Sequence, residues 1–156
     1  MNAMTMALPS SISGSLGNLG KLLDKSIWAS YELLGKSTAL GLSGIEDQIL
    51  EVAEECSFVG WDGGKAQPVS HIVLTNAIKF MQSLPVGIKA PDVCAGPDGS
   101  ISFEWYRAPM RDVSINISPD NNVYFAAILG TIQRDGKESG KEITDDMLSL
   151  IQKVYS

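Results

Sequence analysis

The residues in this chain that could do chemistry are few, and none falls into a spacing that completes a reaction centre. Ser30 to Thr38, SYELLGKST, carries Gly35, Lys36 and Ser37 in the order that closes a phosphate-binding loop. Its opening half departs from that pattern. Ser30 stands where the first glycine belongs, and the preceding KLLDKSIWA has helical periodicity where a strand should feed the loop. The segment therefore reads as a helix that ends at Gly35, followed by a turn. His71, the single histidine, has neither Ser-His-Asp nor Cys-His spacing around it and reads as a solvent-facing residue at a helix start. Cys56 and Cys94 sit among apolar neighbours and are expected as buried free thiols. No Cys or His cluster has metal-ligand spacing, so neither a metal nor a cofactor is expected.

Two carboxylates, Asp62 and Glu104, could serve as an acid and base only if the fold brought them together. Glu104 alternates with Phe103 and Trp105, and a solvated cross-strand pairing with Arg107 or Arg111 accounts for it more simply. The segment Trp61-Asp62-Gly63-Gly64-Lys65 admits two readings. In one, Trp61 plugs the core between two helices while Asp62 forms an Asx-type turn; in the other, the ring is carried on a binding loop.

These residues must be positioned by a fold, and the apolar pattern indicates its elements. Residues 1 to 20 read as a leader with little periodic signal. Leu23, Ile27, Tyr31 and Leu34 recur at helical spacing. Ser43 and Glu46 have the spacing of a capping box for a second helix, with Ile45, Ile49, Val52, Ala53 and Cys56 on its apolar stripe. Glu46, Asp47, Glu51, Glu54 and Glu55 form an acidic opposite face. A Gly-rich loop follows, and Ser70 caps a third helix that Pro85 stops.

Beyond Pro91 the period changes to two. Ile101, Phe103 and Trp105 form one half-buried strand, and Val113, Ile115 and Ile117 form another, with Arg107 to Met110 as the link. Asn122 to Leu129 is apolar on both faces, which suits a central or doubly covered strand, and Asp92 to Ala95 adds a short one. Thr131 to Glu142 reads as a polar connector before a last helix capped by Thr144. The expectation is one two-layer α+β domain over residues 21 to 156: N-terminal helices, an antiparallel meander of three or four strands, and a C-terminal helix.

Within this framework lies a resemblance. Gly60-Trp61-Asp62-Gly63, Lys65-Ala66, Pro68-Val69-Ser70, Leu84-Pro85, Pro91, Pro97-Asp98-Gly99-Ser100-Ile101 and Glu104-Trp105 resemble a pattern found in small uncharacterised bacterial proteins. It spans roughly Gly60 to Ala127. The resemblance implies a bacterial or phage origin and a shared fold, and carries no activity with it.

Composition narrows the function classes. A net charge of -6 repels phosphate backbones and anionic headgroups, so nucleic acid and membrane surfaces are not expected partners. The N-terminus lacks a signal-peptide pattern and no apolar run reaches about 18 residues, which places the chain in the cytoplasm by expectation. The reading is a non-enzymatic acidic module that binds another, basic protein as an inhibitor, antitoxin, immunity or chaperone-like subunit. Its candidate residues are Asp47, Glu51, Glu54, Glu55, Trp61, Asp62, Glu104 and Tyr106. The alternatives are a small-molecule pocket or weakly marked enzyme between helices and sheet, walled by Trp61, Asp62, Glu104 and Tyr106, and a homo-oligomeric structural protein.

Overall fold

A computed structural model describes residues 43–156; the expected leader, first helix and phosphate-loop look-alike lie outside the described residues. Two helices, α1 (Ser43–Glu55) and α2 (His71–Gln82), precede five strands and a final helix. The strands are β1 (Asp92–Ala95), β2 (Ile101–Ala108), β3 (Arg111–Ile117), β4 (Val123–Leu129) and β5 (Ile132–Glu138), and the last helix is α3 (Asp145–Tyr155). The sheet is an antiparallel meander in the order β1-β2-β3-β4-β5. It is an α+β fold of two layers, with α2 and α3 packed across the central strands and α1 against α2 and β1.

The alternation of apolar residues decides which face of the sheet the helices cover. Ile101, Phe103 and Trp105 of β2 stand opposite Ile117, Ile115 and Val113 of β3, which in turn oppose Val123, Phe125 and Ala127 of β4. All nine are buried. Against them pack Val73, Ala77, Phe80 and Met81 of α2 and Met147, Leu150, Ile151 and Val154 of α3. The Phe80 and Phe103 rings stack with centroids 5.8 Å apart. Trp105 is fully buried and its indole N–H donates to the Lys89 carbonyl at 2.7 Å, so the largest core side chain leaves no polar atom unpaired.

Both later helices begin at the expected caps. Ser70 Oγ accepts from the Val73 amide, and Thr144 Oγ1 from the Met147 amide. The C-terminal carbonyls of α3 receive two arginines from the sheet: Arg107 Nη1 donates to Tyr155 O at 2.8 Å, and Arg111 Nη1 donates to Val154 O and Ser156 O. Cations at this end also oppose the helix dipole.

Four expectations need correction. The sheet has five strands, because the polar stretch after Leu129 is itself a strand, Ile132–Glu138, paired along its length with β4. It shows no apolar alternation because its residues are exposed and the backbone ladder holds it. The strand β4 is internal to the sheet, between β3 and β5, but is covered on one face only: Tyr124, Ala126 and Ile128 are exposed. The link between β2 and β3 is only the two residues Pro109 and Met110, with Met110 at φ 61°. Finally, Glu46 does not belong to the acidic face of α1; it is buried and accepts from Gln82 Nε2 at 3.4 Å.

The loop between α1 and α2 is fastened to the β1–β2 turn. Gln67 N donates to Pro97 O at 2.8 Å, and Gly99, at φ +83°, lies so close that a Cβ there would stand 2.7 Å from the Pro68 carbonyl oxygen. Gly99→Ala meets both a left-handed backbone and a backbone clash, and is expected to cost about 1–3 kcal/mol. Urea denaturation of the variant and the parent measures it.

Candidate functional site

The sequence candidates fall in three separate places. Asp47, Glu51 and Glu55 are exposed along α1, whose last turn carries no basic residue. Glu54 on the same helix is half-buried.

Trp61 and Asp62 belong to the α1–α2 loop and organise it. Asp62 Oδ1 accepts from the Gly64 amide at 2.8 Å and the Ala66 amide at 3.2 Å, the expected Asx-type turn. Gly60 N donates to Ala66 O, closing the loop at its base. Trp61 does not plug the core. It is half-buried, and its indole N–H donates to Gln67 O at 3.0 Å. The space between helices and sheet is filled by Trp105 and the phenylalanines of α2 and β2, which leaves Trp61 to close its own loop.

Glu104 and Tyr106 lie on the face of the sheet turned away from the helices. This open face is ordered in rows by the strand register. One row runs Cys94, Ser102, Asn116, Tyr124, Lys137; the next Asp92, Glu104, Ser114, Ala126, Asp135; the third Tyr106, Asp112, Ile128, Gln133. Neither Arg107 nor Arg111 pairs with Glu104, contrary to expectation, because both reach the end of α3 on the other side. Across the strands Glu104 faces Asp92 and Ser114 instead. Two carboxylates thus stand directly opposite each other, an arrangement that disfavours the pairing.

Four carboxylates, those of Asp92, Glu104, Asp112 and Asp135, share this face with one cation among the described residues, Lys137. The Lys137 ammonium rests 5.4 Å from the centroid of the Tyr124 ring. Tyr106 is 50% exposed and Ile128 38%, so apolar surface is interleaved with the charge. At the centre the side chains are short and polar or small: Asn116 Nδ2 donates to Ser100 Oγ and Ser102 Oγ, and Ser114 and Ala126 lie beside it.

Cys94 is on this face and exposed, which corrects the expected buried thiol. Val93 and Ala95, its apolar neighbours in sequence, point to the opposite side of the strand. Partial burial, then Glu104 and Asp92, push its thiol above the ordinary range. Cys56 is buried as expected, and its thiol is raised chiefly by desolvation.

Sequence reasoning missed Asp120, in the β3–β4 turn beside the open face. Its carboxylate accepts from the Tyr124 hydroxyl at 2.7 Å and the Asn122 amide at 3.0 Å. These bonds, the tyrosine's foremost, hold it well below the usual carboxylate range. The signal was present as Asp-Asn-Asn before a strand, but the tyrosine partner depends on strand direction.

The four residues expected to wall a pocket are not assembled between helices and sheet, since Glu104 and Tyr106 face away from the helices. A shallow groove of about 480 Å³ does exist, between Ile88 and Lys89 on one side and Ile151 and Tyr155 of α3 on the other. Lys89 Nζ lies 4.7 Å from the Tyr155 ring centroid. His71 is exposed at the start of α2, and no group of three potential metal ligands occurs among the described residues. No helix among them is long and apolar enough to cross a membrane. Compared with known proteins, the chain matches no family model, no curated protein and no solved structure.

Two outcomes follow. Trp61→Ala is expected to cost about 1–2 kcal/mol, one hydrogen bond and partial burial, whereas Trp105→Ala costs about 3–5 kcal/mol; chemical denaturation of both variants separates them. Asp120 has a depressed pKa in the folded state, so its contribution is present above the unfolded value of about 4 and is lost as pH falls through the folded one. In Tyr124→Phe the NMR titration of Asp120 moves up toward the ordinary range, and the melting temperature difference from the parent narrows as pH is lowered below about 4. An unchanged Asp120 titration rules out the tyrosine as its main cause.

Proposed function

We propose that the chain is a non-enzymatic binding module whose open sheet face docks a basic protein surface. The observation that supports this most directly is the opposition of Asp92 and Glu104. Like charges placed directly across a strand pair cost about 0.2–1 kcal/mol, and the arginines that could have relieved them are committed to α3. A face arranged in this way gains when an external Lys or Arg is brought to it. Tyr106, Tyr124 and Ile128 supply the aromatic and aliphatic contacts that interface cores favour, and the short side chains of Ser114 and Ala126 lie between them. The exposed carboxylates of α1, Asp47, Glu51 and Glu55, add to the long-range attraction that steers a cationic partner.

The partner class is a cationic protein, in the manner of an inhibitor, antitoxin or immunity subunit. The small-molecule reading has the groove beside α3 to draw on, and none of the expected wall residues line it.

Stability and binding move in opposite directions at Glu104. Glu104→Lys places an ammonium opposite Asp92, so the melting temperature is expected to stay level or rise, with a gain of up to about 1 kcal/mol. Capture of the native basic partner falls, mainly through a slower association rate that is most marked at low salt. Biosensor kinetics at two ionic strengths, run beside thermal melts, test the proposal; unaltered association with Glu104→Lys removes this face from the interface.

A further inference from the structure

The outer edge of β5 has no strand partner among the described residues, and its side chains are exposed. Free edges are commonly blunted by charge, because copies that pair bring like charges together. The order here is different. Arg134-Asp135-Gly136-Lys137-Glu138 reads plus, minus, neutral, plus, minus, so its charges invert about Gly136. When such a strand pairs antiparallel with itself about that glycine, every charged residue meets its opposite.

We propose that two copies of the chain pair edge to edge through β5, with Gly136 of each at the two-fold axis. In that register Arg134 stands across from the partner's Glu138, and Asp135 across from the partner's Lys137, each pair occurring twice. Other registers are penalised. A shift by two residues one way sets Asp135 against its own copy, and a shift the other way sets Lys137 against its own copy, each a like-charge contact on the axis. Odd shifts place helix-side residues against open-face residues and break the continuity of the two layers.

The backbone agrees with this register. The two-residue turn Gly130-Thr131 closes the β4–β5 hairpin at Leu129 and Ile132, a hydrogen-bonded pair. Alternation along the ladder then turns the amide and carbonyl groups of Gln133, Asp135 and Lys137 toward the free edge. In the proposed pairing Asp135 and the partner's Lys137 are both outward-facing, so the oppositely charged residues on the open face are also the ones that exchange backbone hydrogen bonds. Gly136 fits the axis for a further reason. The Phe125 ring lies over it, at 2.5 Å from where a Cβ would stand, so the position has no room for a side chain.

The dimer has a ten-stranded sheet with the helices of both copies on one side and both open faces on the other. This inference is independent of the basic partner, and its test uses the protein alone. The charges on the open face are the ones to alter, because Arg134 also pairs with Asp146 within the chain at 3.2 Å. At low ionic strength sedimentation velocity is expected to show a concentration-dependent dimer that weakens with added salt. Asp135→Lys and Lys137→Glu each create two repelling pairs and should weaken association by roughly tenfold or more. A mixture of the two variants restores it as a heterodimer, since each supplies the charges that the other lacks; the double variant Asp135→Lys/Lys137→Glu restores it within one chain. Circular dichroism verifies that all three fold. A wild-type monomer up to the solubility limit, single variants that dimerise like the parent, or a mixture that stays monomeric overturns the proposal.

Discussion

The register between β2, β3 and β4 is the constraint on which the rest of the molecule depends. Three apolar residues from each strand converge on one side, and the side-chain period of two leaves no freedom: a slip by one residue would send Phe103, Trp105 and Ile115 into solvent and Glu104 and Asn116 into the core. The burial of Trp105, Phe103 and the isoleucines therefore determines the other face as well. Glu104 and Tyr106 are presented outward because their neighbours must be buried.

The helices are held to that layer by polar fasteners as well as by apolar packing. Arg107 and Arg111 at the far end of the β2–β3 hairpin satisfy the last carbonyls of α3. Ser83, at the end of α2, accepts at Oγ from the Ile143 amide just before α3. Asn76, buried on α2, donates to Asn121 Oδ1 in the β3–β4 turn at 3.0 Å. The arginines and Ser83 satisfy backbone groups at helix ends, and the Asn76–Asn121 pair ties the middle of α2 to the β3–β4 turn. The consequence for the open face is electrostatic. Spending both arginines on α3 keeps them from the carboxylates of β1 and β2, so the same contacts that close one layer leave the other with unneutralised charge.

Much of this was legible in the chain because the informative residues act locally. The caps Ser70 and Thr144, the Asx turn at Asp62 and the alternation from Ile101 to Ile117 depend on neighbours a few residues away, and the fold class followed from them. What escaped notice depends on contacts distant in sequence. β5 is a strand because β4 lies beside it; its own residues are polar and carry no alternation. Trp61 and Trp105 look equally suited to a core, and only the packing of α2 on β2 shows that the second occupies it. The apolar sequence neighbours of Cys94 suggest burial, but in a strand they occupy the opposite face. The Gly, Pro and Trp residues between Gly60 and Trp105 serve the fold: Gly60 and Gly99 sit at positive φ, Pro91 is buried before β1, and Trp105 is in the core.

The candidate site was legible only as residue types. Glu104 and Tyr106 alternate with core residues, so their exposure could be read; that Glu104 faces Asp92 could not, because the register of a four-residue strand is set by the turn at Pro97 to Gly99 and by Val93 beneath the helices. In the proposed interface that opposition joins stability to binding: a carboxylate pair across two strands weakens the sheet slightly, and a cation brought to it from a partner would relieve the weakness. Along β5 the charges alternate instead, so that in the proposed dimer each would meet its opposite on the second copy about Gly136. The two proposals thus draw on different charge patterns of one sheet, like charges opposed at Asp92 and Glu104 and alternating charges along β5, and both patterns are exposed because the helices cover a single face.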